Sequence, residues 1–326
     1  MTRLWAACII AVAAVSSSGT SPAHAQGFPS KTIRIIVPFT PGGSNDVVAR
    51  EIASGLQDSL KQAAVVENKP GGGGVIAMGE VARAEPDGYT LIIGHIGTLA
   101  ANPFMGQELP YDANRDFAPI SLLVKVVTLY VVHADVPAKD LKELIALARR
   151  EPGKLNYGSA GNASAGHLAM EYLKLATGGI DLQHVPYKGT GPMVIDLVAG
   201  RTQVGVAGTP PLLQHVKAGK LRAVAVGTPG RLAVLPDVRS VAEQGYPGFE
   251  TSQWYGLIGP ARMPDSVIKR LSEEAAKAVR SKAVLERLAT ESAIPVGSTP
   301  REFAQFIAKE QARWKEVIQK AHIKAD

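Results

Sequence analysis

The chain has 326 residues, a single cysteine, a formal net charge of +6 and 46% hydrophobic residues. That length carries two domains or one large one, and no stretch after the opening segment is apolar for long enough to cross a bilayer. The positive charge is scattered, with no Lys/Arg stripe interleaved with aromatics, which argues against nucleic acid as a partner; the isolated histidines, without cysteine partners or a pair at helical spacing, argue against a metal site.

The opening "MTRLWAACIIAVAAVSSSGTSPAHA" has a basic start at Arg3, an apolar run from Leu4 to Val15 and a polar exit ending Ala23-His24-Ala25. This pattern is expected to be a secretory signal cleaved after Ala25. Cys8 lies inside it, so the mature chain from Gln26 is expected to be exported and free of thiols.

Strand-like and helix-like segments then alternate, which predicts an α/β protein with largely parallel sheets. "KTIRIIVPF" reads as the first strand, followed by a helix whose apolar positions Val47, Val48, Ile52, Leu56 and Leu60 keep helical spacing. "AAVVENK" is a second strand, the glycine run Gly71 to Gly74 opens a helix, and "GYTLIIG" is a third strand. The segment Ala118 to Val136 is long, β-prone and without a turn residue, as a strand passing between two sheets would be. A second α/β series follows to "LRAVAVG", and Ser252 to Ala261 forms another continuous apolar run. Three helices close the chain. In the first of them Leu271, Ala275 and Ala278 form a core stripe, and the last opens on Thr299-Pro300 with Glu302 completing a capping box. Crossings near Val124 to Val132 and near Trp254 divide the chain into one lobe of residues 26–123 and 253–326 and another of residues 124–252. Two lobes joined by two strands leave a cleft.

Four glycine-rich stretches lie between a predicted strand end and a helix start: "PGGSND" (Pro41 to Asp46), "KPGGGG" (Lys69 to Gly74), "GSAGNASAG" (Gly158 to Gly166) and "YKGTGP" (Tyr187 to Pro192). Helix starts offer unpaired N–H groups and a partial positive charge suited to a carboxylate or phosphate, and glycine lets the backbone come close. The plainer reading is that such turns prefer glycine and that Ser, Asn and Asp are good caps; recurrence in both lobes favours the anion reading. None has the spacing of a P-loop or dinucleotide fingerprint, and no cofactor is expected.

Single residues leave alternatives open. Ser164 and His167 are three apart and could lie on neighbouring turns, as an enzyme acting on small acids would need. Yet no Gly-x-Ser-x-Gly elbow exists and no acid is placed to orient the imidazole, so a capping serine beside a packed histidine is the plainer account. His95 reads as a strand-end residue near the cleft. Asp46 either faces a ligand amine or caps its own helix. Phe39 lies against a ligand or belongs to the core, and Lys188 supplies charge or is simply solvated. Trp254 reads as core or hinge packing.

The stretches "VPFTPGGSNDVVAR", "ENKPGGGGVIA", "GSAGNASAGHLAMEY", "HVPYKGTGPMVIDLVAG", "WYGLIGPA" and "STPREFAQFIAKEQARWKEVI" together resemble the Bug-type extracytoplasmic solute receptors, the substrate-binding proteins of tripartite tricarboxylate transporters. The resemblance covers essentially the whole mature chain in order. It implies a periplasmic-binding-protein fold, a two-lobed flytrap in which each lobe is a doubly wound, mostly parallel sheet and two strands cross between lobes. It also implies a non-catalytic receptor that delivers a small carboxylate to membrane partners, gripping it through backbone amides, hydroxyls and waters; monomer is the default expectation for a diffusing receptor. Carried over by position, the expected ligand-binding residues are Phe39, Gly43, Ser44, Asn45, Asp46, Thr98, Asn162, Ser164, Lys188 and Gly189. Two departures stand out. Ala163 replaces the family's usual glycine in Gly161-Asn162-Ala163-Ser164, and Gly208-Thr209 stands where an acid is common. The missing acid leaves room and points to a carboxylate without an ammonium group, aromatic acids among them. A sensor that never feeds a transporter is the other receptor-type reading.

Overall fold

The computed structural model describes residues 27–290 and 292–324. The expected signal segment, with Cys8 and Gln26, lies outside the described residues.

The first five elements are β1 (Ile33–Val37), α1 (Ser44–Leu60), β2 (Ala64–Asn68), α2 (Val75–Ala82) and β3 (Thr90–His95). The first helix follows directly from its sequence: Val48, Ile52, Leu56 and Leu60 recur every four residues, and all four are buried. It stops at Lys61, whose left-handed backbone (φ 56°) turns its N–H onto the Gln57 carbonyl. After β3 the chain makes a π-helical turn (Ile96–Ala101), then enters β4 (Phe117–His133), the 17-residue strand anticipated as a crossing.

The second series is α3 (Leu141–Arg150), β5 (Asn156–Ser159), α4 (Ala165–Ala176), β6 (Gln183–Pro186), α5 (Thr190–Val198), β7 (Val204–Gly208), α6 (Thr209–Lys217) and β8 (Leu221–Val226). The return crossing is β9 (Ser252–Pro260), followed by α7 (Asp265–Val279), α8 (Lys282–Thr290), β10 (Ala293–Pro295) and α9 (Pro300–Lys320). The capping box at α9 forms as expected: Glu302 N–H donates to Thr299 Oγ1 at 3.3 Å and Thr299 N–H donates to Glu302 Oε2 at 2.8 Å.

Ten strands form one hydrogen-bonded sheet in the order β2-β1-β3-β9-β4-β7-β5-β6, with β8 and β10 also paired to β4. The pairs β1–β2, β1–β3, β5–β6 and β5–β7 are parallel, as helical crossovers demand. Every antiparallel strand pair among the described residues involves one of the two crossing strands. β4 pairs with β9 from Phe117 to Val127, then with β7 and β8 from Thr128 to His133. One strand thus serves two strand groups in succession.

Helices cover both faces of each group. Val37, Ile52, Leu56, Leu271, Ala275 and Ala278 fill one face under α1 and α7, while Ile36, Met78, Ile92, Trp254, Phe303 and Trp314 fill the other under α2 and α9. Tyr130 and Val132 pack on α3 and α4; Leu129 and Val131 pack on α5 and α6. Trp254 is fully buried, and its indole N–H donates to Glu310 Oε2 at 2.9 Å. The short strand β10 and the π-helical turn were not anticipated.

Candidate functional site

The turn after β1 is not capped by the Ser-Asn-Asp run. Gly43 holds the N-cap position of α1 and supplies no side-chain cap, while Ser44 is the first helical residue and half-buried. Asn45 folds its Oδ1 back onto the Asp46 N–H at 3.0 Å. Asp46 is 4% exposed, and its carboxylate is engaged within the loop. Its Oδ2 accepts from Gly42 N–H at 3.0 Å and its Oδ1 accepts from Arg50 and Asn68 at 3.0 and 2.9 Å. Asn68 also donates to the Phe39 carbonyl at 3.1 Å, so one carboxylate and one amide fix the whole turn.

Burial pushes the Asp46 carboxyl up, but the bonds from Arg50, Gly42 and Asn68 outweigh it and hold the group below its ordinary 3.8. A depressed folded value means this stabilisation is present above the ordinary carboxylate range and is lost as pH falls through the folded value. Melting curves should therefore show Asp46→Asn less stable than the native chain near neutral pH, with the gap closing below about pH 4. A gap constant across that range would show that the Asp46 charge does not organise the turn.

Phe39 is half-buried, its ring 4.8 Å from the His95 imidazole. His95 caps the π-helical turn: Gly97 N–H donates to its Nδ1 at 2.9 Å. Thr98 closes the same turn, its Oγ1 donating to the His95 carbonyl and accepting from the His95 N–H, both at 3.2 Å. Thr98 is fully buried, so its hydroxyl serves the turn rather than reaching outward. Gly97 in turn meets the other strand group, because a Cβ placed on it would stand 3.2 Å from the Ala163 carbonyl oxygen.

The turn after β5 is built on Ser164, the N-cap of α4, whose Oγ accepts from His167 N–H at 3.3 Å. Ala163 sits at φ 55°, a left-handed conformation that a Cβ makes costly, at the position where the family resemblance expects glycine. Its N–H donates to His167 Nδ1 at 3.2 Å. Burial, with Lys174 nearby, lowers His167 to about 4, so the ring is neutral and carries its proton on Nε2. Its face is stacked on His184 at 4.1 Å. A ring whose acceptor nitrogen is engaged by the backbone, and whose other nitrogen can only donate, is no general base for Ser164. The capping account of this pair therefore holds.

The third turn joins the second. Gly189, N-cap of α5 at φ 118°, donates its N–H to the Ala160 carbonyl at 3.2 Å. Lys188 is exposed beside it, and Asn162 is half-buried and already engaged within the protein.

The sequence-predicted residues therefore fall into two groups. Phe39, Gly43, Ser44, Asn45, Asp46 and Thr98 gather around the start of α1 and the end of β3; Asn162, Ser164, Lys188 and Gly189 gather around the starts of α4 and α5. The contacts Phe39–His95, His95–Gly97 and Gly97–Ala163 link the two groups.

Sequence reasoning did not single out Gln253 and Tyr255 on β9. Tyr255 on β9 lies directly opposite His95, and its hydroxyl donates to Gln253 Oε1 at 2.8 Å. That oxygen would stand 3.2 Å from a Cβ on Gly208. Gln253 thus borders the position where the acid is missing. Thr209 is buried, donating its hydroxyl to the Val127 carbonyl at 2.9 Å. The sequence signal for these two residues was their period-two alternation along β9.

A family model described as the tripartite tricarboxylate transporter family receptor matches residues 48–323. Protein BugT of Bordetella pertussis is 36% identical over 325 residues, covering 99% of both chains. The R. palustris protein Rpa4515, solved with adipate, is 34% identical with a TM-score of 0.85, covering 91% of this chain and 99% of that one. MatC from Rhodopseudomonas palustris, solved with bound malate, is 33% identical with a TM-score of 0.81, covering 89% and 100%. The linked strand groups and crossing strands are those of the two-lobed periplasmic binding proteins, and the chain belongs to the tripartite tricarboxylate transporter family of receptors.

Proposed function

We propose that this chain is a periplasmic, monomeric solute-binding protein. It captures a small carboxylate between its lobes and delivers it to the membrane components of a tripartite tricarboxylate transporter. The lobes are residues 26–123 with 253–326, and residues 124–252; the change of partners along β4 at Val127–Thr128 supports that division. The opening segment directs export and is cleaved after Ala25. No described helix is long and apolar enough to cross a membrane.

One observation carries the reading: the starts of α1 and α4 are linked through Phe39, His95, Gly97 and Ala163. Helix starts from both lobes then present N–H groups to one anion, with Phe39, Ser44, Asn162, Ser164, Lys188 and Gly189 around it. The carboxylates recorded in the adipate and malate complexes of related receptors support the same ligand class. With Asp46 bound to Arg50 and no acid at Gly208-Thr209, nothing in the set is suited to an ammonium group, which favours carboxylates lacking one.

Calorimetric titration with aspartate, glutamate, succinate, citrate and aromatic acids tests this. Binding of an acid without an ammonium group, accompanied by a higher melting temperature at saturation, is the expected result. Ser164→Ala should weaken that binding about tenfold and lower stability by about 1 kcal/mol through loss of the cap. Tight binding of aspartate alone would refute the ligand class, and turnover of the acid abolished by Ser164→Ala would refute the receptor.

A further inference from the structure

His184 on β6 is none of the expected ligand residues, yet the turn that carries Ser164 is attached to it by two routes. Parallel pairing of β5 with β6 sets His184 opposite Tyr157, and the two rings stack at 4.8 Å. The Tyr157 hydroxyl donates to Glu171 Oε1 at 2.6 Å, which fixes that ring in turn. His184 also stacks on His167, with centroids 4.1 Å apart and planes within 3° of parallel. The half-buried imidazole is thus held by two buried rings from different elements.

The first route is a relay of hydrogen bonds. His184 Nε2 and Ser159 Oγ are 2.7 Å apart. Ser159 Oγ also donates to the Gly161 carbonyl at 3.1 Å and accepts the Gly161 N–H at 3.2 Å. A hydroxyl has one proton to give, and this one is spent on the carbonyl, so His184 donates its Nε2–H. The Gly161 carbonyl in turn takes the Ser164 N–H at 3.1 Å. The second route is the stack on His167. That residue receives the Ala163 N–H on Nδ1 at 3.2 Å and gives its own backbone N–H to Ser164 Oγ at 3.3 Å. The backbone and the hydroxyl of Ser164 are both tied to one imidazole.

Building on the carboxylate-receptor reading, we propose that His184 is a positioning residue for the ligand turn after β5. It acts through Ser159 and His167, setting where Ser164 presents its groups, and not on the carboxylate itself. The turn needs such bracing. Gly161 sits at φ 123°, and glycine takes up many backbone conformations with little preference, so the chain alone does not hold this one. A relay that orders the turn before the ligand arrives removes an ordering cost that binding would otherwise carry.

The test is calorimetric titration, with a melting curve for each protein, of the mature chain, His184→Phe, Ser159→Ala and the double variant. The probes are succinate, adipate, citrate and benzoate. His184→Phe keeps a ring for the stack and loses the donor; it should weaken the tightest-binding probe about tenfold. Ser159→Ala should do the same, and the double variant should lie within about twofold of either single one, because both changes break one relay. His184→Phe combined with Ser44→Ala, in the turn after β1, should instead multiply the two single losses. Losses that multiply in the Ser159 pair, or an unchanged affinity beside a lowered melting temperature, make His184 a support of the fold alone. Either result overturns the proposal and leaves the receptor reading standing. Binding of none of the four acids by the native chain overturns the receptor reading and the positioning role with it. Nitrogen-15 NMR of the native chain at about pH 8 gives a readout that needs no variant. His184 should be neutral and protonated at Nε2, and a ring whose proton sits on Nδ1 overturns the relay.

Discussion

Glu310→Ala should lower stability by about 4 kcal/mol, because it strips two buried indoles of their shared acceptor. Glu310 is 4% exposed on α9, and its Oε2 accepts from two indoles, Trp254 Nε1 at 2.9 Å and Trp314 Nε1 at 3.0 Å. Its other oxygen faces Arg313 Nη1 at 3.1 Å. Alanine strands two buried N–H donors at about 1–3 kcal/mol each and leaves Arg313 without its carboxylate. The melting temperature should fall by roughly 10 °C, and tryptophan emission should shift as Trp254 and Trp314 lose their partner. Glu310→Gln should cost about half as much, because its oxygen can still serve both indoles while its amide turns an N–H toward Arg313. A loss below about 1 kcal/mol for alanine would mean that water replaces the carboxylate and the residue is no anchor.

Gly166→Ala should cost about 3 kcal/mol and reduce ligand affinity more than loss of the Ser164 hydroxyl does. A Cβ on Gly166 would stand 2.2 Å from the Val206 carbonyl oxygen and 3.1 Å from its carbon. Both atoms belong to the backbone of a fully buried strand, so the first turn of α4 must move away, carrying Ser164 and Ala163 with it. Gly191→Ala is the matched control: that glycine also opens a helix, but nothing lies within 4 Å of its Cβ position. There alanine should be neutral or stabilising by up to about 1 kcal/mol. Comparing melting temperature and affinity for the two variants separates steric from entropic effects. Equal behaviour would show that α4 does not need close contact with β7 to place its turn.

Much of the architecture could be read before any coordinates. The stripe of α1, the capping box of α9 and the uninterrupted run that became β4 are local patterns, and local patterns survive folding. The three-residue strand β10 could not be read, because its pairing with Val124 to Val126 is decided by a strand about 170 residues away. Glycine and serine marked strand-to-helix turns where the structure has them, but they did not reveal which way side chains point. Asp46 could meet a ligand amine or, more in keeping with its place in the first turn, cap its own helix. Only the positions of Gly42, Arg50 and Asn68 show that it braces the loop. Likewise His95 carried no motif; its place beside the turn after β1 depends on the contacts with Phe39 and Gly74 that tertiary structure supplies.

The last helix has a consequence for biogenesis. Phe303, Ile307, Trp314, Val317 and Ile318 complete the apolar layer that Ile36, Met78 and Ile92 begin near the other end of the chain. A ribosome delivers those two halves more than 200 residues apart, so a nascent chain cannot seal that layer until its final helix has been made. Until then one face of that layer has no helix to cover it.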